Sequence, residues 1–344
     1  MLRLSDFDYV LPEDRIAQNP VEPRDSAKML VVDCGEIKHR VFSDLPELLS
    51  PGDLLVLNNT RVTALRLFGE RPGGGKTEVL LLRESQPLTF ESLVKPAKKL
   101  KVGTSIAFEG GLEATVVGEG SDGIRTISFR SFDGFESALA AAGRVPLPPY
   151  IRETQATDER YQTVYAETPG SSAAPTAGLH FTDDLFARLT EKQIDTAFVT
   201  LDVGIDTFRP MQSENPDDHK MHGESFFIPK ATRDAVANAS GRVIAVGTTS
   251  VRALETASID KRMLQPGPGC SSLFVKPGYR FKTVDAMLTN FHMPRTTMLF
   301  MVAALCGKDT LLSAYESALT ADYRFLSFGD SMLILNPSTG ENHA

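Results

Sequence analysis

The segment IRTISF, residues 124–129, alternates apolar and polar side chains, so that Ile127 and Phe129 fall on one face and the polar residues on the other. This period of two is typical of a half-buried antiparallel strand. Similar short runs precede it, separated by glycine-containing turns: EVLLL (78–82), SLV (92–94), TSIAF (104–108) and ATVV (114–117). Several strands at such close spacing predict a small antiparallel β-barrel over residues 64–145.

Outside this region the pattern changes to alternating helices and buried strands. Apolar runs predict strands at 54–57, 197–201 (AFVTL), 243–246 (VIAV), 272–275 (SLFV) and 332–335 (MLIL), with helices at 296–306 and 311–319. Thr182 is a predicted helix N-cap, and the proline-rich VPLPPYI (145–151) is interpreted as a return linker. We therefore expect a discontinuous α/β domain, residues 1–63 and 146–336, with the antiparallel β-barrel inserted and a tail at 337–344.

Composition excludes several classes of protein. Of the 344 residues, 42% are hydrophobic and 23% charged, which is typical of a soluble globular chain. The net charge of −8 means that any nucleic-acid site must be a local basic patch. The three cysteines are widely spaced, and the first residues, MLRLSDFDYVLPEDR, lack an apolar signal segment. We expect a cytoplasmic protein with no membrane segment.

Two motifs favour ordinary readings over cofactor sites. GERPGGGKTEV (69–79) has Glu70 where a phosphate loop requires glycine, so a glycine-rich hairpin is the better interpretation. His219, His222 and Glu224 have spacing compatible with metal ligation, but the sequence fixes no further ligand. We interpret these residues as polar loop residues or acid–base catalysts, and we predict no metal site.

Three other segments carry open alternatives. Lys95, Lys98, Lys99 and Lys101 are either a solvated loop or a patch for a phosphate backbone. GTTS (247–250) follows a buried strand and opens a helix, so its hydroxyls either cap the helix or meet an anionic ligand. SAAPTAGLHFT and DAMLTNFHMP each deliver a histidine, His180 and His292, beside compact polar clusters; each is either structural or a proton carrier.

Several of these blocks together resemble one family. They are NNTRV (58–62), VPLPPYI (145–151), YQTVYA (161–166), AAPTAGLHF (173–181), GTTSVRALE (247–255), PGYRFKTVDAMLTNFHMP (277–294) and YRFLSFGDSML (323–333). The chain is similar over nearly its whole length to the S-adenosylmethionine:tRNA ribosyltransferase-isomerases of queuosine biosynthesis. The inserted β region resembles the family in position and texture more than in residues.

The resemblance implies a fold and a reaction. The fold is an α/β domain that carries an inserted β-barrel. The reaction moves the ribosyl part of S-adenosylmethionine to the aminomethyl group of 7-aminomethyl-7-deazaguanine at a tRNA wobble position, rearranges it to an epoxycyclopentanediol, and releases adenine and methionine. S-adenosylmethionine is then a substrate, and no metal or redox cofactor is implied. We expect a monomer whose partner is the tRNA.

Proton transfer in this reaction requires at least two titratable groups of different basicity. The candidates for catalysis are His180, His222, Glu224, Asp285 and His292. The candidates for substrate binding are Asn59, Thr60, Arg61, Thr176, Gly178, Asp202, Gly247, Thr248, Thr249, Ser250, Arg252 and Asn290. The resemblance also favours the four lysines as the tRNA-binding patch.

One segment departs from the family pattern. Where the family reads TLHVGxGTF, this chain reads TLDVGIDTF, with Asp202 in place of histidine and Asp206 in place of glycine. Aspartate with an unperturbed pKa near 4 is mostly an anion, whereas histidine shuttles protons near neutrality. The alternative hypothesis is therefore a divergent, non-catalytic paralogue that binds RNA or S-adenosylmethionine.

Overall fold

The structure is a computed structural model that describes residues 2–131, 134–204, 211 and 213–336. Its strands are β1 (Lys28–Asp33), β2 (Glu36–Val41), β3 (Leu54–Asn58), β4 (Thr60–Val62), β5 (Arg66–Arg71), β6 (Gly75–Gln86), β7 (Thr89–Lys95), β8 (Ser105–Phe108), β9 (Leu112–Glu119), β10 (Ile124–Ser131), β11 (Gly143–Arg144), β12 (Thr168–Ser171), β13 (Asp195–Leu201), β14 (Glu224–Ile228), β15 (Val243–Val246), β16 (Ser258–Asp260), β17 (Met263–Leu264), β18 (Gly267–Ser271), β19 (Ala286–Asn290) and β20 (Ser331–Ile334). Its α-helices are α1 (Leu45–Leu48), α2 (Phe135–Ala142), α3 (Asp183–Glu191), α4 (Lys230–Asn238), α5 (Thr248–Ala257), α6 (Thr297–Cys306) and α7 (Lys308–Thr320).

The chain divides into two compact units. Among the described residues, the first contains those within 2–61, 148–169 and 174–336, and the second contains those within 62–147 and 170–173; the expected tail at 337–344 lies outside the described residues. The division expected from sequence, at 64 and 145, differs from these bounds by two residues at either end. The short return of the chain at 170–173 to the second unit was not expected.

The first unit is built on a nine-stranded mixed sheet. Its strand order is β18-β14-β13-β3-β15-β19-β20-β1-β2. Strands β13, β3, β15 and β19 are mutually parallel, and antiparallel strands flank them. Strands β3, β15 and β19 are buried on both faces, which explains why VIAV is a continuous apolar run, whereas β13 alternates buried and half-buried residues in its second half.

The second unit is a closed barrel. Its strands follow the order β5-β6-β7-β10-β9-β8, and β8 pairs again with β5 to close the ring. The inward side chains of the alternating strands, Ile127 and Phe129 among them, form its core with Leu67, Val79 and Val116. The predicted class, an α/β domain with an inserted antiparallel β-barrel, is confirmed.

Two local predictions have different outcomes. Thr182 caps α3, because its Oγ1 accepts a hydrogen bond from the amide of Leu185 at 3.1 Å. The predicted strand at 272–275 is wrong: β18 ends at Ser271, and the following residues have no regular structure. Val275 is nevertheless buried, so the apolar run there reflects burial and not pairing.

Within the described ranges no single helix is long and apolar enough to cross a bilayer; α6 and α7 meet the criteria only as a pair, which is bent by 111°.

Candidate active site

A cavity lies at the carboxyl ends of β15 and β19. Parallel strands end together at one edge of a sheet, and the loops that follow them form a crevice there. This cavity is lined by Tyr150, Ala174, Pro175, Thr176, Ala177, Val203, Gly247, Thr248, Thr249, Thr289, Asn290, Phe291, His292, Met293, Thr296, Met298, Leu326 and Ser327. Three segments singled out from sequence therefore meet in one place.

The first of these segments is the turn from β15 into α5. Gly247 has φ +85°, a left-handed conformation that suits glycine, and it donates its amide to the carbonyl of Leu288 at 2.7 Å. The hydroxyl of Thr249 is buried and has no hydrogen-bond partner in the described part of the chain. The hydroxyl of Ser250 instead donates to the carbonyl of Val246 at 2.7 Å. Thr249 is therefore available to a ligand, whereas the geometry lends no support to a ligand role for Ser250.

The second and third segments are joined through Asn290. The hydroxyl of Thr176 donates to Oδ1 of Asn290 at 3.0 Å, and Nδ2 of Asn290 lies 3.4 Å from Nε2 of His180. His180 is 5% exposed, and its ring lies 4.8 Å from that of Phe42. Burial lowers the pKa of His180 to about 4, with nearby Arg324 acting in the same direction. The structure places His180 behind Asn290, outside the set of residues that lines the cavity.

His292 lines the cavity itself. Its Nε2 lies 3.3 Å from the hydroxyl of Thr289, and its Nδ1 is buried without a hydrogen-bond partner in the described ranges. Burial lowers the pKa of His292 to about 4, so the ring is neutral near pH 7. A neutral imidazole with one nitrogen engaged presents the other to a bound substrate. This arrangement is able to accept a proton or to receive a hydrogen bond.

A second, broader cleft adjoins the first and shares Thr248, Thr249 and Met298 with it. Besides threonines, its polar lining includes Ser213, Asp218, His219, Lys220, His222, Glu224 and Arg252. Burial, followed by the proximity of His222, lowers the pKa of His219. The two cavities therefore adjoin at the start of α5.

Glu224 and Arg252 form a buried ion pair in the wall of this cleft. The other carboxylate oxygen of Glu224 accepts from the amide of Gly204 at 3.1 Å, and Arg252 also donates to the carbonyl of Ser271 at 2.8 Å. Both oxygens of Glu224 are thus engaged, which favours a structural role over the predicted catalytic one. His222 is exposed in the same cleft. Among the residues that the structure describes, no three His, Cys, Asp or Glu side chains gather into a group able to hold a metal ion.

Asp285 is placed away from these residues. It precedes β19, whereas His292 follows that strand, so the two lie toward opposite ends. Its carboxylate accepts from the amide of Val243 at 2.9 Å and pairs with Arg262 at 2.7 Å. The structure thus gives Asp285 a role in joining β15 to β19 and does not bring it to the cavity.

The predicted substrate contacts after β3 are held by neighbouring side chains. Asn59 accepts from the hydroxyl of Thr200 at 2.7 Å, and Arg61 pairs with the exposed Glu159 at 3.4 Å. Burial raises the pKa of Asp202, and a hydrogen bond from Thr60 opposes this shift. These residues lie outside both linings, and Asp206 falls outside the described residues.

Packing explains why residue 178 is a glycine. A Cβ atom at this position would lie 1.9 Å from the hydroxyl of Tyr165, so only glycine fits there.

In the barrel unit, Lys95, Lys98, Lys99 and Lys101 are all exposed. The cavity also contains residues that the candidate set omitted: the hydroxyl of Tyr150 lies 2.6 Å from that of Ser327. Tyr150 lies in the block VPLPPYI and Ser327 lies in YRFLSFGDSML, and their place in these blocks was the sequence signal that could have identified them.

Comparisons with known proteins match nearly the whole chain to one family. A model of the queuosine biosynthesis protein family matches residues 4–334. The S-adenosylmethionine:tRNA ribosyltransferase-isomerase of Gloeobacter violaceus is 51% identical over 338 residues, which cover 97% of this chain and 96% of that protein. The protein of the same name from Symbiobacterium thermophilum is 51% identical over 341 residues, covering 97% of this chain and all of that protein.

A solved structure agrees with these relatives. The crystal structure of S-adenosylmethionine tRNA ribosyltransferase from Thermotoga maritima matches with a TM-score of 0.54 and 34% identity, covering 96% of this chain and 100% of that one. The resemblance inferred from the sequence blocks is confirmed. The chain belongs to the S-adenosylmethionine:tRNA ribosyltransferase-isomerase family of queuosine biosynthesis.

Proposed function

We propose that this protein transfers the ribosyl moiety of S-adenosylmethionine to 7-aminomethyl-7-deazaguanine in tRNA and isomerises it, giving epoxyqueuosine, adenine and methionine. The observation that carries the proposal is the pair of adjoining cavities that share Thr248, Thr249 and Met298. A transfer between two substrates requires both to reach one point, and the shared wall provides such a point.

The start of α5 suits the donor. Its free amides and positive dipole end favour an anionic or hydroxyl-bearing group, and the buried hydroxyl of Thr249 adds an unused hydrogen-bonding group. We assign this position to the carboxylate of the methionine part or to the ribose hydroxyls. The apolar lining, with Phe291 and Met298, excludes water from the rest of the donor.

Proton transfer is assigned to His292. A sulfonium acidifies the adjacent C5′ protons, and a neutral imidazole in a dry cavity is in the form that accepts one of them. We assign Asn290 and Thr176 to hold the donor in position, and His180 to orient the side chain of Asn290 from behind. S-adenosylmethionine serves as a substrate, and the proposed reaction uses no metal or redox cofactor.

The tRNA is assigned to the exposed lysines of the barrel unit, which concentrate positive charge in a chain of net charge −8. We assign the polar cleft that contains His219 and His222 to the acceptor base of the tRNA. We further propose that the enzyme acts as a monomer in the cytoplasm.

One assay tests the proposal. The purified chain is incubated with S-adenosylmethionine and tRNA that carries the aminomethyl base, with and without a chelator, and free adenine is measured. Adenine released despite the chelator is the expected result, and tRNA with an unmodified guanine is the matched control. Binding of both substrates without adenine release would instead identify a non-catalytic paralogue. Release that the chelator abolishes would point to a metal-dependent hydrolysis at His219 and His222.

A further inference from the structure

The peptide groups of His292 are held on both sides by tyrosine hydroxyls. The hydroxyl of Tyr9 donates a hydrogen bond to the carbonyl oxygen of His292. The amide of His292 donates to the hydroxyl of Tyr315 at 2.9 Å. Neither tyrosine lines the cavity into which the imidazole projects. Both therefore contact the backbone of His292 and not the space for substrate.

These two tyrosines come from distant parts of the chain. Tyr315 lies on α7 and is 1% exposed, whereas Tyr9 lies in the N-terminal segment, 283 residues before His292. Their rings meet edge to face with centroids 5.1 Å apart. The N-terminal segment is also fixed elsewhere, since the amide of Leu4 donates to the carbonyl of Glu214 at 2.9 Å and the amide of Ala17 donates to the carbonyl of Phe325 at 3.2 Å. The arrangement is thus a built contact and not a chance approach of a loose terminus.

Strand pairing does not extend to His292. Strand β19 ends at Asn290, and residues 291–296 have no regular structure. Outside a sheet the amide and carbonyl of this half-buried residue need other partners, because a peptide group withdrawn from water without one costs free energy. The two phenols supply these partners, and they thereby fix the position from which the His292 side chain enters the cavity.

We propose that Tyr9 and Tyr315 are positioning residues for His292 in the reaction, acting by holding its peptide groups so that its imidazole meets the substrate. This inference rests on the proposed function, in which His292 moves a proton. Burial raises the pKa of both phenols, so they keep their protons and the contact is unchanged across the range of an activity assay. A small displacement of a catalytic group lowers the rate steeply, which gives these contacts a measurable effect.

The test uses three single substitutions in the full chain: Tyr9→Phe, Tyr315→Phe and the control Tyr323→Phe. Tyr323 is also 1% exposed, and its ring packs against Phe291, but its hydroxyl bonds the exposed His39 at 2.9 Å. Each substitution removes one phenol oxygen and keeps the ring. We expect kcat for adenine release to fall about 10- to 100-fold in the first two, with KM for S-adenosylmethionine within twofold of wild type. The control is expected to keep both values.

A second readout follows His292 directly. The chain has six histidines, so their ring signals are resolvable by NMR, and the spectrum of His292→Asn assigns the signal in question. Burial lowers the pKa of His292, and we expect its titration midpoint to rise in Tyr9→Phe, because a displaced ring is better solvated. The control is expected to leave that signal unchanged.

The outcomes separate the two proposals. The inference is overturned if Tyr9→Phe and Tyr315→Phe both show the same kcat and the same His292 titration midpoint as the control Tyr323→Phe. Full turnover by His292→Asn also overturns it and leaves the proposed function standing. A wild-type protein that releases no adenine refutes the proposed function, and the NMR titration then still decides whether the tyrosines hold His292.

Discussion

Glu224 on β14 and Arg252 on α5 form an ion pair that is almost fully buried, with 7% and 9% of the respective side chains exposed. Removal of one partner leaves the other charge buried and uncompensated. We therefore expect Arg252→Ala to lower the free energy of unfolding by about 3–5 kcal/mol. Urea denaturation monitored by circular dichroism measures this change.

The matched control for this substitution is Arg233→Ala. Arg233 pairs with Asp234 on the surface, where an ion pair contributes about 0–1 kcal/mol. Equal losses of stability in the two variants would show that the Glu224–Arg252 pair does not hold the wall of the cleft together.

Thr249 and Ser250 are adjacent hydroxyl residues with opposite environments. Thr249→Val removes only the unpartnered hydroxyl that faces the cavity, so we expect the Kd for S-adenosylmethionine to rise about tenfold. Ser250→Ala removes a hydroxyl that is already bonded to Val246, so we expect no change in Kd. Equilibrium dialysis with labelled S-adenosylmethionine measures both constants. Unaltered binding by Thr249→Val would exclude its hydroxyl as a donor contact.

His180 makes folding stability depend on pH. Its folded pKa of about 4 lies below the ordinary value of 6.5, so the unfolded chain takes up a proton first as the pH falls. The stabilisation is complete above pH 6.5 and is lost between pH 6.5 and 4, by up to about 3 kcal/mol. Urea denaturation at several pH values should show a shallower decline in His180→Gln than in the wild type. Parallel curves for the two proteins would contradict this account.

The lysine patch is tested by its salt dependence. We expect Lys98→Ala with Lys99→Ala to weaken tRNA binding and to reduce the slope of log K against log salt by roughly 1.4 to 1.8, because two fewer counterions are released. Filter binding at several salt concentrations gives the slope. The control, Lys38→Ala with Lys261→Ala, removes the same charge from two exposed positions of the α/β unit. An identical slope in both double variants would make the patch a solvated loop.

The architecture was predictable because it depends on local patterns. Alternation in segments such as 124–129 and continuous apolar runs such as VIAV distinguish the barrel strands from the parallel ones. The strand predicted at 272–275 was wrong because an apolar run reports burial and not pairing. Helix α2, residues 135–142, was not anticipated within the barrel region.

The site was predictable only where its residues lie in one short motif. Thr249, Asn290 and His292 lie at or just after the ends of strands and were found for that reason. Asp285 shares a motif with His292, but seven residues of nearly extended chain correspond to roughly 20 Å. The contact of Tyr9 with His292 spans 283 residues, and no local pattern reveals it.

The position of β20 in the large sheet bears on how the protein is made. This strand, residues 331–334, lies between β1 and β19 in the sheet. It is therefore synthesised about 300 residues after β1, the strand with which it pairs. During that interval the apolar edge of β1 is open to wrong pairing, whereas most of the barrel is continuous in sequence and is complete much earlier. A ribosome stalled late in translation would therefore leave a finished barrel attached to an aggregation-prone partial sheet, which is a natural target for chaperones.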